Sequence, residues 1–403
     1  MKQIIKISLL SLLILSVYFY LFYSGTINYL ALGSGYHFGD YRSFPKALEC
    51  FSLGYNPTTG GGNPDCKGFD YGFALLVFAP FKQFIINSNL YVVPSILIII
   101  FTIISVKIIN PKNYFHIIIC LLALLNPSTL LLIERMNLDI LLYLIIIFLS
   151  FNRIYLFNWL FVIYSFLIKF HPFIYGLIIF VENKKRKVNN LTFIFLFILF
   201  SSLIFINFYW VEYSLVLKES GGWKMGLHYL FSIKAIAKVL KELFSLHYGL
   251  CLIILYIIFF KFIIKYQKNL KKITNDEYNF EKKLFFLSTN SLLFLFLTFS
   301  NAFYREVFLI LSIPYLLKHE NLIFIKKIIY ILCIKYIYNF IYTLDLNFET
   351  FYYLDNVRYY ELHFLVNVFI KGLIDTILMI MIGSLTLKMN IEVVKSIKNS
   401  YKI

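Results

Sequence analysis

YFHIIICLLALLNPSTLLLIERMNLDILLYLIIIFLSF, residues 114–151, is an apolar run broken near its centre by Glu134-Arg135-Met136-Asn137-Leu138-Asp139. A helix needs about 20 mostly apolar residues to cross a bilayer. The stretch therefore reads as two spans, 114–133 and 137–151, joined by a turn with almost no loop. Three charges and an amide in so short a turn are expensive beside lipid unless they pair with one another or meet a polar ligand.

The rest of the chain has the same character. Of its 403 residues 60% are hydrophobic and 15% charged, against roughly 45–50% and about 25% in a soluble domain, which excludes one or two water-soluble cores. Further windows of spanning length lie at 4–23, 90–109, 191–211, 246–265, 284–300, 322–342 and 363–387, with less regular apolar stretches at 154–181 and 304–317. The formal charge of +17 sits in a chain rich in Lys, Ile, Asn, Phe and Tyr together, as an AT-rich genome would make it. The total says less than the places where the charges fall, and it calls for no nucleic-acid partner.

With Lys2 and Lys6 in the cytoplasm, the clusters at Lys107/Lys112, Arg153, 184–187, 261–283, Lys318/Lys326/Lys327 and 388–402 share that side, as the positive-inside bias requires. This threading makes 154–181 a hairpin turning at His171-Pro172 rather than one long tilted helix. The expectation is an all-α, single-domain transmembrane bundle over 1–403 with about twelve spans, both ends in the cytoplasm and outer loops at 24–72, 212–245 and 343–362. The first helix resembles a secretory signal without a small-x-small cleavage site, and its aromatic end (Tyr18, Phe19, Tyr20, Phe22, Tyr23) suits a retained anchor.

Within 228–246, Leu230, Ile233, Ile236, Ala237, Leu240 and Leu243/Phe244 fall on one helical face opposite Lys234, Lys238 and Lys241. That pattern predicts an amphipathic helix lying on the membrane surface, as an anchor or at the entrance for an anionic lipid. Cys120, Cys251 and Cys333 sit in apolar spans, whereas Cys50 and Cys66 share the first outer loop, either disulfide-bonded or as free thiols.

Four sets of polar residues stand out at or near membrane depth. Asp40 in Gly39-Asp40-Tyr41-Arg42 is either a carboxylate able to take a proton from a hydroxyl or a helix-capping residue. Glu134, Arg135, Asn137 and Asp139 form either an internal salt bridge or part of a ligand site. Lys169 and His171 lie at the proposed hairpin tip, and Tyr304 and Arg305, followed by Glu306, lie between two apolar stretches. Arg305 suits bidentate phosphate binding or a pairing with its acidic neighbourhood. Lys82, Lys335 and Lys371 fall within or beside apolar runs. In the threading above all four sets face the outer side, where one or two carboxylates and three cations suit a phosphate-bearing lipid. A Walker-type loop, zinc-spaced Cys/His pairs and an Asp-x-Asp pair are all absent, and Gly60-Gly61-Gly62 reads as a flexible turn.

The order of these motifs resembles the GT-C class of integral membrane glycosyltransferases, most closely the family 87 group related to polyprenol-phosphate-mannose-dependent alpha-1,2-mannosyltransferases. Asp40-Tyr41 follows the first helix, with Tyr55-Asn56-Pro57 and Phe69-Asp70-Tyr71 downstream. Asn126-Pro127 precedes Glu134-Arg135-x-Asn137-x-Asp139, similar to the family's Glu-Arg-Gly-Asn-x-Asp turn, and Lys169-x-x-Pro172 and Tyr304-Arg305 come later. Met136 stands where the family has a small residue, and His171 where an aromatic is usual. The resemblance covers about residues 1–190 well and the remainder by topology.

It implies transfer of a hexose, mannose in the named group, from a polyprenyl-phosphate donor to a glycan or lipid-linked acceptor at the outer face of the plasma membrane. Asp40 would be the general base and Arg305, Arg135 and Lys169 the phosphate-holding cations, with Tyr41, Arg42, Glu134, Asn137, Asp139, His171 and Tyr304 lining the substrates. Neither metal nor nucleotide cofactor is implied. Three readings compete: a polysaccharide polymerase or ligase using a lipid pyrophosphate, a lipid-linked sugar flippase or transporter, and an inert scaffold subunit. Against the transporter, the hydropathy shows no paired internal repeat.

Overall fold

The structure, a computed structural model, describes residues 2–31, 38–57, 64–66, 85, 91–152, 155–169, 171–176, 230–268, 270, 279–298, 301–346, 351–354, 357–360 and 362–400. The first half of the chain supplies α1 (Lys2–Tyr23), α2 (Thr26–Ala31), α3 (Gly39–Ser52), α4 (Val92–Ile109), α5 (Tyr114–Leu124), α6 (Pro127–Arg135), α7 (Asp139–Phe151) and α8 (Tyr155–Ile168). A short 3-10 helix, His171–Gly176, follows α8. The second half supplies α9 (Ile233–Phe244), α10 (Tyr248–Lys268), α11 (Phe280–Thr298), a 3-10 segment at Phe303–Ser312, α12 (Ile313–Lys318), α13 (Ile323–Leu346) and α14 (Leu362–Ser400). The architecture is thus all-α apart from two small antiparallel pairs. β1 (Leu230–Phe231) meets β2 (Asn301–Ala302), and β3 (Phe351–Leu354) meets β4 (Val357–Tyr360) within the expected third loop.

Among the described residues four helices, α1, α4, α10 and α14, are long and apolar enough to cross a membrane, and five spans result if the bent pair α5–α6 counts as one. Exposed Ile4, Leu9 and Leu12 on α1, and Ile253 and Ile257 on α10, give these helices an apolar outer surface, which lipid suits and water does not. Of the other apolar windows, α11 is packed mostly inside, α7 is exposed only at Phe148 and Phe151, and α13 keeps an exposed apolar face at Ile334, Ile337, Ile341 and Leu344. The window at 191–211 and the return limb of the proposed hairpin beyond residue 176 lie outside the described residues.

The structure corrects three expectations. The window 114–133 is not one straight helix: it breaks at Asn126-Pro127, where α5 and α6 meet at 46°. Asn126 caps α6, its Oδ1 accepting from Ser128 N at 3.0 Å, and Pro127 at the first helical position cannot supply the N–H that would continue α5. The stretch 304–317 is not a helical span but the buried 3-10 segment followed by the six residues of α12. Of the amphipathic pattern at 228–246, the described part is helical over Ile233–Phe244, with Leu230–Phe231 a strand, and the apolar face of the helix packs on protein. Ala235 and Val239 cluster with Tyr342, Phe364, Leu365 and Val368 of α13 and α14, while Phe244 at its end stays exposed.

Helix ends gather in two layers. At one end of the bundle Gln3 Nε2 donates to Asn110 Oδ1 at 2.7 Å, Lys6 Nζ to Lys112 O at 3.1 Å, and His116 Nε2 lies 3.0 Å from Glu320. A cleft of about 300 Å³ lined by Phe115, Glu320, Asn321, Lys326, Ile329 and Tyr330 opens there. The core between the layers is aromatic and aliphatic, with Phe101 of α4 against Tyr143 of α7 at 4.9 Å and the Tyr143 hydroxyl 2.8 Å from that of Ser105. At the other end, Cys50 of α3 and Cys66 form the disulfide.

Two measurements check this packing. Under denaturing, non-reducing conditions three thiols should titrate, Cys120, Cys251 and Cys333; a count of five would remove the disulfide. A Cβ at Gly372 of α14 would meet Ile236 Cγ1 of α9 at 2.6 Å, so Gly372→Ala should cost about 1–3 kcal/mol and lower the thermal midpoint in detergent. Adding Ile236→Ala should recover much of the loss, and no recovery would mean that the two helices do not touch there.

Candidate active site

The turn 134–139 is built by one left-handed residue. Met136 ends α6 with φ 48° and ψ 52°, a conformation costing a non-glycine residue about 1–2 kcal/mol. Its side chain is buried, which returns roughly 1.5–3 kcal/mol and offsets the strain. The reversal brings Asn137 and Asp139 back under the end of α6. A backbone hydrogen bond of 2.6 Å from Phe38 N to Glu134 O docks the start of α3 onto this turn. Phe38 is itself left-handed, with φ 58°, and it delivers Asp40 in the first turn of α3.

Asn137 is the centre of the cluster. Its Nδ2 donates to Asp40 Oδ2 at 2.5 Å and to the Tyr304 hydroxyl at 3.0 Å. Its Oδ1 accepts from Asp139 N at 3.0 Å and from Lys169 Nζ at 3.0 Å. Arg135 donates through Nε at 3.0 Å and Nη2 at 2.8 Å to Asp40 Oδ1. Lys169 Nζ reaches Asp139 Oδ1 at 2.7 Å, and Arg305 Nε forms an ion pair at 3.4 Å with Asp139 Oδ2.

Seven of the residues singled out in the sequence thus meet: Asp40, Arg135, Asn137, Asp139, Lys169, Tyr304 and Arg305. The other four sit differently. Glu134 is adjacent but fully buried, and its carboxylate oxygens accept no hydrogen bond among the described residues. Tyr41 is buried one residue beyond Asp40, and burial raises its phenol above the usual value. Arg42 lies on the exposed side of α3. His171 begins the short 3-10 helix, and its side chain lies outside the described residues.

Exposure divides the cluster into a fixed and an accessible half. Asp139 is fully buried beneath Lys169 and Arg305, whereas Arg135 keeps 34% of its side chain exposed and Asp40 14%. A carboxylate has about four acceptor positions. Arg135 takes two of them on Asp40 Oδ1 and Asn137 one on Oδ2, so one remains for an incoming hydroxyl. The three cations around two carboxylates leave the cluster a formal surplus of one positive charge before Glu134 is counted, which favours an anion. Among the described residues no group of three or more His, Cys, Asp or Glu is placed to hold a metal ion.

No protein-family model, no curated protein and no solved structure matches the chain. Its reading therefore rests on its own residues.

Sequence reasoning noted Glu306, Lys335 and Lys371 singly but missed Asp375 and the meeting of all four in a second set of charges, which lies behind the cluster and is buried. Lys371 and Asp375 are four residues apart on an otherwise apolar helix, the spacing at which side chains meet, and that was the available signal.

Charge balance predicts an order of stabilities. Asp139→Asn strands Lys169 and Arg305 beside a neutral group in a dry site, and breaking a buried pair costs about 3–5 kcal/mol. Asp40→Asn leaves Arg135 reachable by water and should cost about 1 kcal/mol. Thermal unfolding of the two purified variants should show Asp139→Asn clearly lower; equal midpoints would mean that the two carboxylates carry the same structural weight.

Proposed function

We propose that the chain is a multi-pass glycosyltransferase of GT-C type, with about twelve spans in the plasma membrane. In this reading both termini are cytoplasmic, and a hexose, mannose by the resemblance, passes from a polyprenyl-phosphate donor to a glycan or lipid-linked acceptor at the outer face. The observation that carries this is the meeting of Arg135, Lys169 and Arg305 with Asp40 and Asp139 around a single amide, from segments up to 265 residues apart in sequence (Asp40 to Arg305). Lys2, Lys6, Lys107, Lys112, Lys318 and Lys326 fall at the opposite end of the bundle, judged by the contacts of Gln3, Lys6, Lys318 and the cleft beside Lys326. That distribution supports an outer-facing cluster by the positive-inside bias.

The donor phosphodiester is held by Arg135, the most exposed of the three cations, with Arg305 and Lys169 behind it. The acceptor hydroxyl takes the open position on Asp40 Oδ2 and gives up its proton there. Its oxygen attacks the anomeric carbon with inversion as the bond from that carbon to the phosphate oxygen breaks. The bonding pair leaves with the phosphate, and cations fixed in a dry site stabilise the charge that develops. Lys234 and Lys238 on α9 lie one turn apart, and burial lowers both ammonium groups, Lys238 further through its neighbour. Lys234 Nζ donates to Thr298 O at 2.6 Å, and Thr298 lies six residues before Tyr304 in sequence.

A transporter reading has one observation in its favour, the four charges buried behind the cluster. Each of them is paired, however, and a translocation path needs a group that can exchange partners.

In membranes supplied with an undecaprenyl-phosphate hexose, Asp40→Asn should lower transfer by about a hundredfold or more, the usual weight of a general base, in protein of normal abundance. Arg305→Gln should raise the KM for the lipid donor. Unchanged transfer in Asp40→Asn would remove Asp40 as the base. Movement of the lipid-linked sugar across proteoliposomes without covalent transfer would replace the enzyme by a transporter.

A further inference from the structure

Glu306 follows Arg305 in sequence but faces a different set of groups. Lys335 Nζ lies 2.9 Å from Glu306 Oε2 and Lys371 Nζ 3.0 Å from Oε1. Lys371 Nζ is also 2.9 Å from Asp375 Oδ2, and Lys335 Nζ contacts Asp375 Oδ1. The contacts close into a ring in which each carboxylate meets both ammonium groups. No side chain of the ring is more than 3% exposed. Aromatic faces cover it, Phe231 at 5.4 Å from Lys335 and Tyr342 at 5.7 Å from Lys371.

A buried ring of this kind is a poor stabiliser, because removing four charges from water consumes most of what their attraction returns, and apolar side chains of the same volume would often fill the space as well. Its effect is to fix direction. Phe303–Ser312 is a 3-10 segment of ten residues, far longer than the three or four at which such helices usually stop, so its own hydrogen bonds hold it weakly. At three residues per turn, consecutive side chains point about 120° apart. Tyr304 accordingly reaches Asn137, Arg305 reaches Asp139, and Glu306 reaches the two lysines.

We infer that Glu306 is a positioning residue: pinned by Lys335 and Lys371, it sets the rotation of the Phe303–Ser312 segment so that Tyr304 and Arg305 face the cluster. The same pin reaches the opposite wall. Asn339 Nδ2 donates to Glu306 Oε2 at 2.9 Å and to Asn126 Oδ1 at 3.0 Å, and Asn126 caps α6, whose far end carries Arg135. Two arms of the cluster are therefore referred to one buried carboxylate. The consequence for phosphate binding rests on the proposed function; the pin itself does not.

The test compares two charge-neutral double variants of the full-length protein in nanodiscs. Glu306→Gln with Lys371→Met removes the pin, whereas Lys335→Met with Asp375→Asn removes as much of the ring and leaves Glu306 on Lys371 and Asn339. Phenylglyoxal modification of Arg305, mapped by peptide mass spectrometry, should quicken at least fivefold in the first variant and stay within twofold of the parent in the second. Equal rates in the two variants would overturn the pin, as would an unchanged rate in the first. If the first double fails to fold, Glu306→Asp, which keeps the charge and shortens the reach, replaces it and should show a rate between those of the two doubles; a parental rate would overturn the pin. Undecaprenyl phosphate binding, measured in parallel, should fall about tenfold in the first variant alone. No binding to the parent protein would overturn the phosphate reading while the arginine modification still judged the pin.

Discussion

Among the described residues alone, the carboxamide of Asn137 finds a partner for each of its hydrogen-bonding positions. Its two N–H groups serve Asp40 and Tyr304, and its carbonyl oxygen serves Lys169 and the backbone of Asp139. An amide has two donors and two acceptor positions, so nothing is left over and nothing can be exchanged without leaving a buried polar group unmet. In a dry site such a loss costs about 1–3 kcal/mol for each group. The start of α3, the turn between α6 and α7, the residue after α8 and the 3-10 segment are thereby held to one point. Neither aspartate could hold all four in the same way, since a carboxylate only accepts hydrogen bonds and Asp40 and Tyr304 both need a donor here.

Around that amide the charges follow the dielectric. Where water reaches, at Asp40 and Arg135, the pair is partly open and leaves an acceptor position for a ligand. Where water does not reach, Asp139 lies between two cations, and the ring of Glu306, Lys335, Lys371 and Asp375 is balanced charge for charge. Glu134 departs from this pattern: it is fully buried beside Asp40 and Arg135, and no hydrogen bond from the described residues reaches its carboxylate. An ionised carboxylate without partners is costly in such a place.

How much of this was legible depended on whether the partner lay in the same stretch of sequence. The turn 134–139, Lys169 and Arg305 stood out because charges in or between apolar runs are costly beside lipid, and Asp40 because it follows the first helix at the membrane boundary; whether each was a structural partner or part of a ligand site was left open by the sequence. The break at Asn126-Pro127 was visible as a dipeptide, but the bend it makes was not, because hydropathy counts residues and not their direction. The apolar face of α9 was read in part, since Ile233, Ile236 and Ala237 are buried but Ala235 and Val239 went unnamed and Phe244 is exposed, and its partner was taken for lipid: a bilayer and the side of α14 ask for the same side chains. The ring was missed because Glu306 and Lys371 are 65 residues apart, and helix periodicity carries no information across that distance. Cys50 and Cys66 were placed in one loop by sequence, but whether they bonded depended on α3 bringing the two together.

Met136 shows how sequence and backbone settle a conflict between local and global demands. The position is left-handed, and glycine is the residue that enters that region without penalty; a small residue is what the resembling family places there. Methionine bears the strain and in return fills space beneath the turn, where it is buried. A glycine would relax the backbone but leave a void in the core beside the turn that carries Asn137. Because the void and the strain are of similar size, the choice between them turns less on stability than on how firmly the turn is held. A long, flexible thioether that adapts its shape to the gap holds it without adding another polar group to satisfy.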